Sequence, residues 1–371
     1  MLTKSPIVAF ILTSRFPTEK AYGVTTEYSA RAVLNLFYDV VITTPFKDRH
    51  FESKINVDEI QGVIASKLLS PKIQRFVFLR YHLFLILYSL KLKLHFSKRY
   101  VIFWTRDIFL TYLLALFTKN VIILELHNLP KGIQNYILKY LIKKNRIYFA
   151  PITDFLAGKF NFTESRYILA PMAVNNDEFI EQSEIKQKNN TIIYVGTSSS
   201  GGVKLDCNFI NDLAFLVAAN FPEWIIELVG VNKDFFISQI SGSLSANITF
   251  SGYVQRDEAL KKMKSAKVGL VLYGKNDYHQ FPIKIVEYAA SGLTILASDT
   301  PIHRSVLGSD KCVFFEVHSP ISAFTSFKSL LDNTNKATEL NSNLNNWVKK
   351  LTYRNRVTKV LELVMKESSL N

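Results

Sequence analysis

Cysteine is nearly absent from this chain. Two thiols, Cys207 and Cys312, stand among 371 residues, with no metal-ligand spacing between or around them, so a disulfide framework and a structural zinc site are both excluded as readings. A reducing compartment is the natural expectation. Long apolar runs are also missing. No segment reaches the roughly 20 uninterrupted apolar residues of a transmembrane helix. The short run from Ile7 to Leu12 lacks the longer core and small-residue cleavage site of a signal peptide, and it suits a first β-strand. There is no GxxxxGKS/T loop, no HExxH, no GxSxG and no acidic pair of the DxD kind, so no metal site is expected. Finally, no acidic residue occurs between Ile60 and Arg106, a window that holds Lys67, Lys72, Arg75, Arg80, Lys91, Lys93, Lys98, Arg99 and Arg106.

What is present describes a folded protein. Hydrophobic residues make up 48% of the chain and charged residues 20%, enough for two α/β domains with real cores. The net charge of +14 is uneven: residues 1–190 carry 26 basic and 15 acidic side chains, the remainder 19 and 16. A one-sign field of this kind attracts anions, whether membrane surface, nucleic acid or polyanionic substrate.

Short apolar strands alternate with helical patterns. Strands are predicted at 6–12, 39–44, 100–104, 121–126, 147–151 and 167–170, then, after the polar stretch EQSEIKQKNN at 181–190, at 191–195, 225–229, 247–250, 268–272, 294–297 and 312–315. This alternation indicates parallel sheets covered on both faces. It gives an α/β chain of two doubly wound domains, 1–180 and 190–345, facing a cleft. A last helical pattern at 346–371 is available to either domain, including packing back on the first.

One stretch, QFPIKIVEYAASGLTILASD at 280–299, predicts a helix that opens after Pro282 and closes at Gly292. Ile283, Val286, Ala289 and Ala290 recur on one face. Lys284 and Glu287 are neighbours one turn apart, and a charged pair at the start of so apolar a helix needs a reason.

The segment PIKIVEYAASGLTILASD resembles the C-terminal-domain signature of GT-B-fold glycosyltransferases, especially glycosyltransferase family 4. Four further stretches fall in the family's order: ELHNLP at 125–130, ILAPMAVNNDEF at 168–179, IIYVGTSSSGGVKLD at 192–206 and FSGYVQRDEALKKMKSAKVGLVLY at 250–273. The resemblance implies two Rossmann-like domains and transfer of a sugar from a nucleotide diphosphate. The acceptor would be a saccharide or lipid-linked saccharide, in surface polysaccharide or glycoconjugate synthesis. It further implies a retaining course with no dedicated general base, and a cytoplasmic location at the inner face of a membrane.

The residues support this chemically. A nucleotide diphosphate held without a metal needs donors and cations from the protein. Gly196, at the end of a strand, permits close backbone approach, and the run through Thr197 to Gly202 can aim amides at phosphate. Lys204 and Lys284 would offset charge on the departing diphosphate; a solvated loop and a surface Glu–Lys pair are the alternatives. By resemblance Glu287 accepts from the donor's ribose hydroxyls, and Tyr253 and Val254 form the base-binding turn. Phe281 and Ile283 would offer amides to the sugar or phosphate. The chain departs from the family at Thr197, where an Arg is common, and at His279, where a Glu is common.

In the first domain, His127 ends a predicted strand, where the resembling family touches the transferring sugar; a hydrogen-bonded core histidine is the alternative. Arg106, Asp107 and Asp154 follow other strand ends, and Gly23 sits where the family has an acceptor loop. The basic, leucine-rich window 67–99 reads either as an amphipathic segment lying on an anionic membrane or as a core helix with snorkelling cations. A nucleic-acid partner is not expected, since no binding motif accompanies the charge. A binding-only relative and a sugar-nucleotide epimerase of the same fold are the competing functions.

Overall fold

A computed structural model of the protein describes residues 6–14, 16–18, 21–36, 38–45, 57–59, 77–180, 188–200, 203–272 and 281–368. The chain divides into two compact units, one formed by Met1–Pro171 with Tyr353–Asn371, the other by Met172–Thr352.

The first unit is built on six parallel strands: β1 (Ile7–Ile11), β2 (Asp39–Thr44), β3 (Val57–Glu59), β4 (Val101–Thr105), β5 (Val121–Leu126) and β6 (Ile147–Pro151), in the order β3-β2-β1-β4-β5-β6. Its helices are α1 (Ala21–Leu34), α2 (Val77–His95), α3 (Ile108–Phe117), α4 (Ile133–Ile142) and the short α5 (Asp154–Gly158). β4 and β6 are buried at every position, because both faces of a doubly wound sheet are covered and neither can be polar. Ala9, Phe103, Leu124 and Phe149 form the centre of that core with Leu85 and Leu92 of α2.

Two details differ from the sequence reading. Residues 167–170 do not form a strand; Tyr167 makes one parallel bridge to Phe149, and Ile168 and Ala170 donate to the carbonyls of Phe149 and Pro151. Pro171 ends the run before a ladder can lengthen. β3, three residues carrying Asp58 and Glu59, is an edge strand too short and polar to show alternation.

The second unit repeats the topology. β7 (Asn189–Val195), β10 (Ile225–Val229), β11 (Ile248–Gly252), β12 (Ala266–Val271), β13 (Thr294–Ser298) and β14 (Cys312–Phe315) are parallel in the order β11-β10-β7-β12-β13-β14. β8 (Ser199–Ser200) and β9 (Val203–Lys204) form a small antiparallel hairpin after β7. The helices are α6 (Cys207–Asn220), α7 (Lys233–Gln239), α8 (Arg256–Ser265), α9 (Ile283–Ala290), α10 (Pro301–Leu307), α11 (Pro320–Asp332) and α12 (Thr334–Val348). The final helix, α13 (Tyr353–Ser368), groups with the first unit, where it contacts α1.

Residues 172–180 and 346–352 group with the second unit, so its limits differ from the expected 190–345. Val174 donates to Leu351 and bridges Thr352, a capping box joins Asn175 to Glu178, and Ile180 donates to Ala290. The two contacts of Val174 fasten the entering and leaving segments to each other before α13 begins, and Ile180 ties the entering segment to α9.

α9 starts after Pro282 and stops at Gly292, whose φ of 68° is the left-handed conformation glycine tolerates. It is not amphipathic in the expected way. Val286, Ala289 and Ala290 are buried, but so are Ile285, Glu287 and Tyr288, because α9 is held between the sheet and α12. Tyr288 fixes its position: the Tyr288 hydroxyl accepts from the Val195 amide at 2.8 Å, and its ring fills the space beside Gly269, where a Cβ would lie 2.4 Å from it. Gly269→Ala should therefore overpack β12 against α9 and destabilise the protein by about 1–3 kcal/mol, read as a lowered midpoint in thermal or urea unfolding. An unchanged midpoint would contradict this packing.

Candidate active site

At the carboxyl edge of the second sheet, three strands end in glycine. Gly196 follows β7, Gly230 follows β10, and Gly252 ends β11. Gly230, with φ of 86°, lies so close to Gly196 that a Cβ on it would stand 2.7 Å from the Gly196 carbonyl oxygen. Its amide donates to the Gly252 carbonyl at 2.6 Å. A Cβ on Gly196 would lie 2.9 Å from both Lys284 Nζ and the Tyr194 hydroxyl. The structure thus brings Gly196 and Lys284 together, although 88 residues separate them in the chain.

Lys284 lies in the first turn of α9, with its ammonium 4.3 Å from the centre of the Tyr194 ring, a cation–π contact. Burial lowers its pKa to about 8, with Glu287 opposing the shift. No side chain caps the start of α9. Phe281 and Ile283 are half-buried there and pack on the unit's apolar core. Thr197 is exposed, and no guanidinium takes the family's place at that position. Lys204 is in β9, opposite Ser199. Its side chain, and the residues Gly202 and His279, lie outside the described residues.

Glu287 is not paired with Lys284, as its spacing suggested. It is 7% exposed and accepts from Arg256 Nη1 at 2.7 Å, while Arg256 Nη2 reaches Glu178 at 2.8 Å. Burial raises the Glu178 pKa against the pull of Arg256. Burial disfavours the Arg256 charge, and Glu287 and Glu178 outweigh it, raising its pKa. Arg256 opens α8, just beyond Tyr253, which is exposed, and Val254, which is half-buried. The sequence reading missed Arg256, since its partners lie 31 and 78 residues away.

In the first unit the strand ends carry a second polar cluster. His127 follows β5, and its Nε2 hydrogen-bonds Glu125, two residues earlier. Glu125, 2% exposed, also receives the Trp104 indole N–H at 2.9 Å. Arg106 and Arg356 approach its Oε1 at 3.0 and 2.9 Å. Burial raises the proton affinity of Glu125, but Arg106, Arg356 and His127 together hold its pKa well below the usual carboxylate range. Burial and the Arg106 charge push His127 down to about 4. Arg356, on α13, was not singled out in the sequence.

The remaining expected residues have local structural tasks. Asp107 caps α3, accepting from the Leu110 amide at 2.9 Å and from the Tyr81 hydroxyl. Asp154 is exposed at the first position of α5, which Thr153 caps. Gly23 does not take a positive φ; it lies inside α1, where a Cβ would meet the Thr18 carbonyl oxygen at 2.7 Å. Its own preceding loop requires the glycine.

The depressed His127 pKa has a stability consequence. The folded imidazole stays neutral to about pH 4, whereas an unfolded histidine protonates near ~6.5. The unfolded chain therefore binds the additional proton between those values. This contribution to stability is complete above pH ~6.5 and is lost as pH falls toward 4. His127→Asn should remove up to roughly 1.4 kcal/mol per pH unit from the slope in that window, measured by urea unfolding at several pH values. A slope identical to wild type would contradict a neutral, half-buried His127.

Comparisons with known proteins agree with this architecture. Residues 175–347 match the family model for glycosyl transferases group 1. Sucrose-phosphate synthase from Thermosynechococcus elongatus aligns over 99% of this chain and 100% of its own, at 13% identity and a TM-score of 0.73. HepE from Anabaena, solved with UDP and glucose, aligns over 98% and 99%, at 11% identity and 0.66. An E. coli trehalose-6-phosphate protein bound with UDP-2-fluoro glucose aligns over 96% and 98%, at 10% and 0.65. No curated protein matches the chain in sequence. At such identities the structural likeness speaks for the fold, two parallel α/β sheets of GT-B type. The family match over residues 175–347 adds the chemistry: the second unit carries a glycosyl transferases group 1 domain, and the chain is a glycosyltransferase.

Proposed function

We propose that the protein moves a sugar from a nucleotide diphosphate to a hydroxyl of a saccharide or lipid-linked saccharide, in surface polysaccharide or glycoconjugate synthesis. The reading includes transfer with retention and without a metal. The observation that carries it is the seating of Lys284 Nζ against Gly196, where backbone and cation converge at the carboxyl edge of the second sheet. A diphosphate there would meet the amides after β7, the start of α9 and the ammonium together, and charge growing on the leaving group would be stabilised by groups already in position. Glu287 would accept from the ribose hydroxyls. Arg256, by holding one carboxylate oxygen, would keep Glu287 oriented. Binding of UDP and UDP-2-fluoro glucose by the structural neighbours makes uridine the first base to try.

Lys284 gives this reading a pH signature. A bound diphosphate favours the charged ammonium, so affinity should be steady below pH 8 and fall about tenfold per unit above it. Calorimetry with UDP should show this fall, and Lys284→Met should abolish it along with most of the affinity. Glu287→Gln should weaken UDP at least about tenfold, two charge-assisted hydrogen bonds being replaced by weaker ones. If no nucleotide diphosphate binds a folded sample, the donor site is wrong. If UDP-sugars bind and neither transfer nor hydrolyse with any acceptor, the binding-only alternative holds.

The proposed setting is an anionic membrane surface. Leu83, Ile86, Leu90 and Leu94 of α2 are 43%, 37%, 37% and 72% exposed, and their spacing puts them along one face. Lys93, Lys98 and Arg99 are exposed beside or just after them, each adding about 1 kcal/mol near anionic headgroups. Residues 67–76 of the basic window lie outside the described residues. No helix among the described residues is long and apolar enough to cross a membrane. Co-sedimentation with phosphatidylglycerol vesicles should therefore be strong at low salt and at least about tenfold weaker in Leu90→Glu/Leu94→Glu; equal binding by that variant would exclude α2 as the contact.

A further inference from the structure

The first sheet has a small pocket of its own, part apolar and part polar, where its strand order reverses. β1 lies between β2 and β4, and the chain leaves these two central strands toward opposite edges of the sheet. Ligands of doubly wound sheets bind beyond the carboxyl ends at such a point. Ile11 and Leu12 at the end of β1, Thr26 and Ser29 of α1, and Arg106 and Glu125 beyond β4 and in β5 line the pocket here.

The charges around it do not balance. Arg106 and Arg356 share one carboxylate oxygen of Glu125. Their other partners are neutral: Arg106 donates to Thr25 Oγ1 at 2.9 Å, and Arg356 to the carbonyls of Ala170 and Pro171 at 3.3 and 3.0 Å and to Ser29 Oγ at 3.4 Å. His127 also leans on Glu125 and is held neutral. Among the described residues no second carboxylate pairs with either arginine. The cluster therefore holds one positive charge in excess, with Arg356 6% exposed and the Arg106 side chain 25% exposed. An uncompensated buried charge is costly. The second unit solves the converse case with two carboxylates on Arg256.

We propose that this pocket is an oxyanion subsite: it takes a phosphate or carboxylate group, which Arg106 contacts directly while Glu125 and Arg356 hold the guanidinium in place. Assigning that group to the sugar acceptor rests on the transfer reading above; the anion site itself does not. The pocket's own volume is about 10 Å³, room for a single oxygen beside the buried Thr26 and Ser29. The rest of the group would stand at its mouth against the exposed quarter of the Arg106 side chain, whose planar guanidinium suits a bidentate partner.

His127 is a built-in reporter, because an arriving anion offsets the charges that depress it. The experiment is nitrogen-15 NMR of the histidine-labelled full chain, with the His127 signal assigned through His127→Gln, titrated with inorganic phosphate and in parallel with glucuronate. The expected result is a saturable shift of His127 at millimolar phosphate and an upward movement of its pKa by about one unit or more. Arg106→Gln should weaken that response at least tenfold, and Arg106→Lys, the variant to rely on should the first not fold, at least threefold. A response to phosphate alone names a phosphate ester, and one to both probes names oxyanions generally; either supports the site. An unmoved His127 at tens of millimolar of both probes overturns the proposal, as does an undiminished response in a folded Arg106→Gln or Arg106→Lys. UDP binding measured on the same sample separates the two claims, since it reports the second unit while His127 reports this pocket.

Discussion

The carboxyl edge of the second sheet depends on the absence of a side chain at residue 196. Any Cβ there would collide with the Lys284 ammonium and the Tyr194 hydroxyl, both 2.9 Å away. With glycine in place, β7 can end against Gly230, α9 can bring Lys284 over Tyr194, and Tyr288 of the same helix can receive the Val195 amide. A backbone turn, a helix start and a cation are thereby gathered at one point. The crowding that permits this also desolvates Lys284 and lowers its pKa to about 8, so the ammonium is charged below that pH but poorly solvated, and an arriving anion would stabilise it.

The two units manage buried charge in opposite ways. In the second, Arg256 is held between Glu178 and Glu287, and the carboxylates outnumber the cation. In the first, Glu125 is held between Arg106 and Arg356, and the cations outnumber the carboxylate. The negative excess stands where ribose hydroxyls would be accepted, the positive excess where an anionic group would be received. Neither cluster is a surface ion pair of small consequence. Each joins distant segments: Arg256 binds the segment entering the second unit to α9, and Arg356 binds α13 to the end of β5.

Much of the architecture was legible because local chemistry carried it. Eleven of the twelve anticipated strands formed close to the expected bounds, as runs of four to seven residues that are mostly apolar and, away from the sheet edges, largely buried. Pro282 and Gly292 bracketed α9 as their backbone preferences require. Elements without such a signal were misread. Residues 167–170 look like a strand but make one bridge, and β3 was too short and acidic to notice. α9 appeared one-sided because Glu287 and Lys284 are polar, yet Glu287 is buried on an ion pair that its own neighbourhood does not reveal. Arg256 and Arg356 escaped for the same reason, since their carboxylates lie 31, 78 and 231 residues away. Ion pairs between remote segments leave no periodicity, spacing or cap to read. Gly23 was legible as a necessary glycine, although the loop at Thr18 explains it without a ligand.

The central claim is that residues around Gly196, Arg256 and Lys284 form one donor site. Hydrogen–deuterium exchange with and without UDP tests it most directly. The account predicts protection confined to peptides covering 195–206, 252–257 and 282–288, the strand ends and helix starts that would gather around the diphosphate and ribose. Protection elsewhere with these three segments unchanged would contradict it.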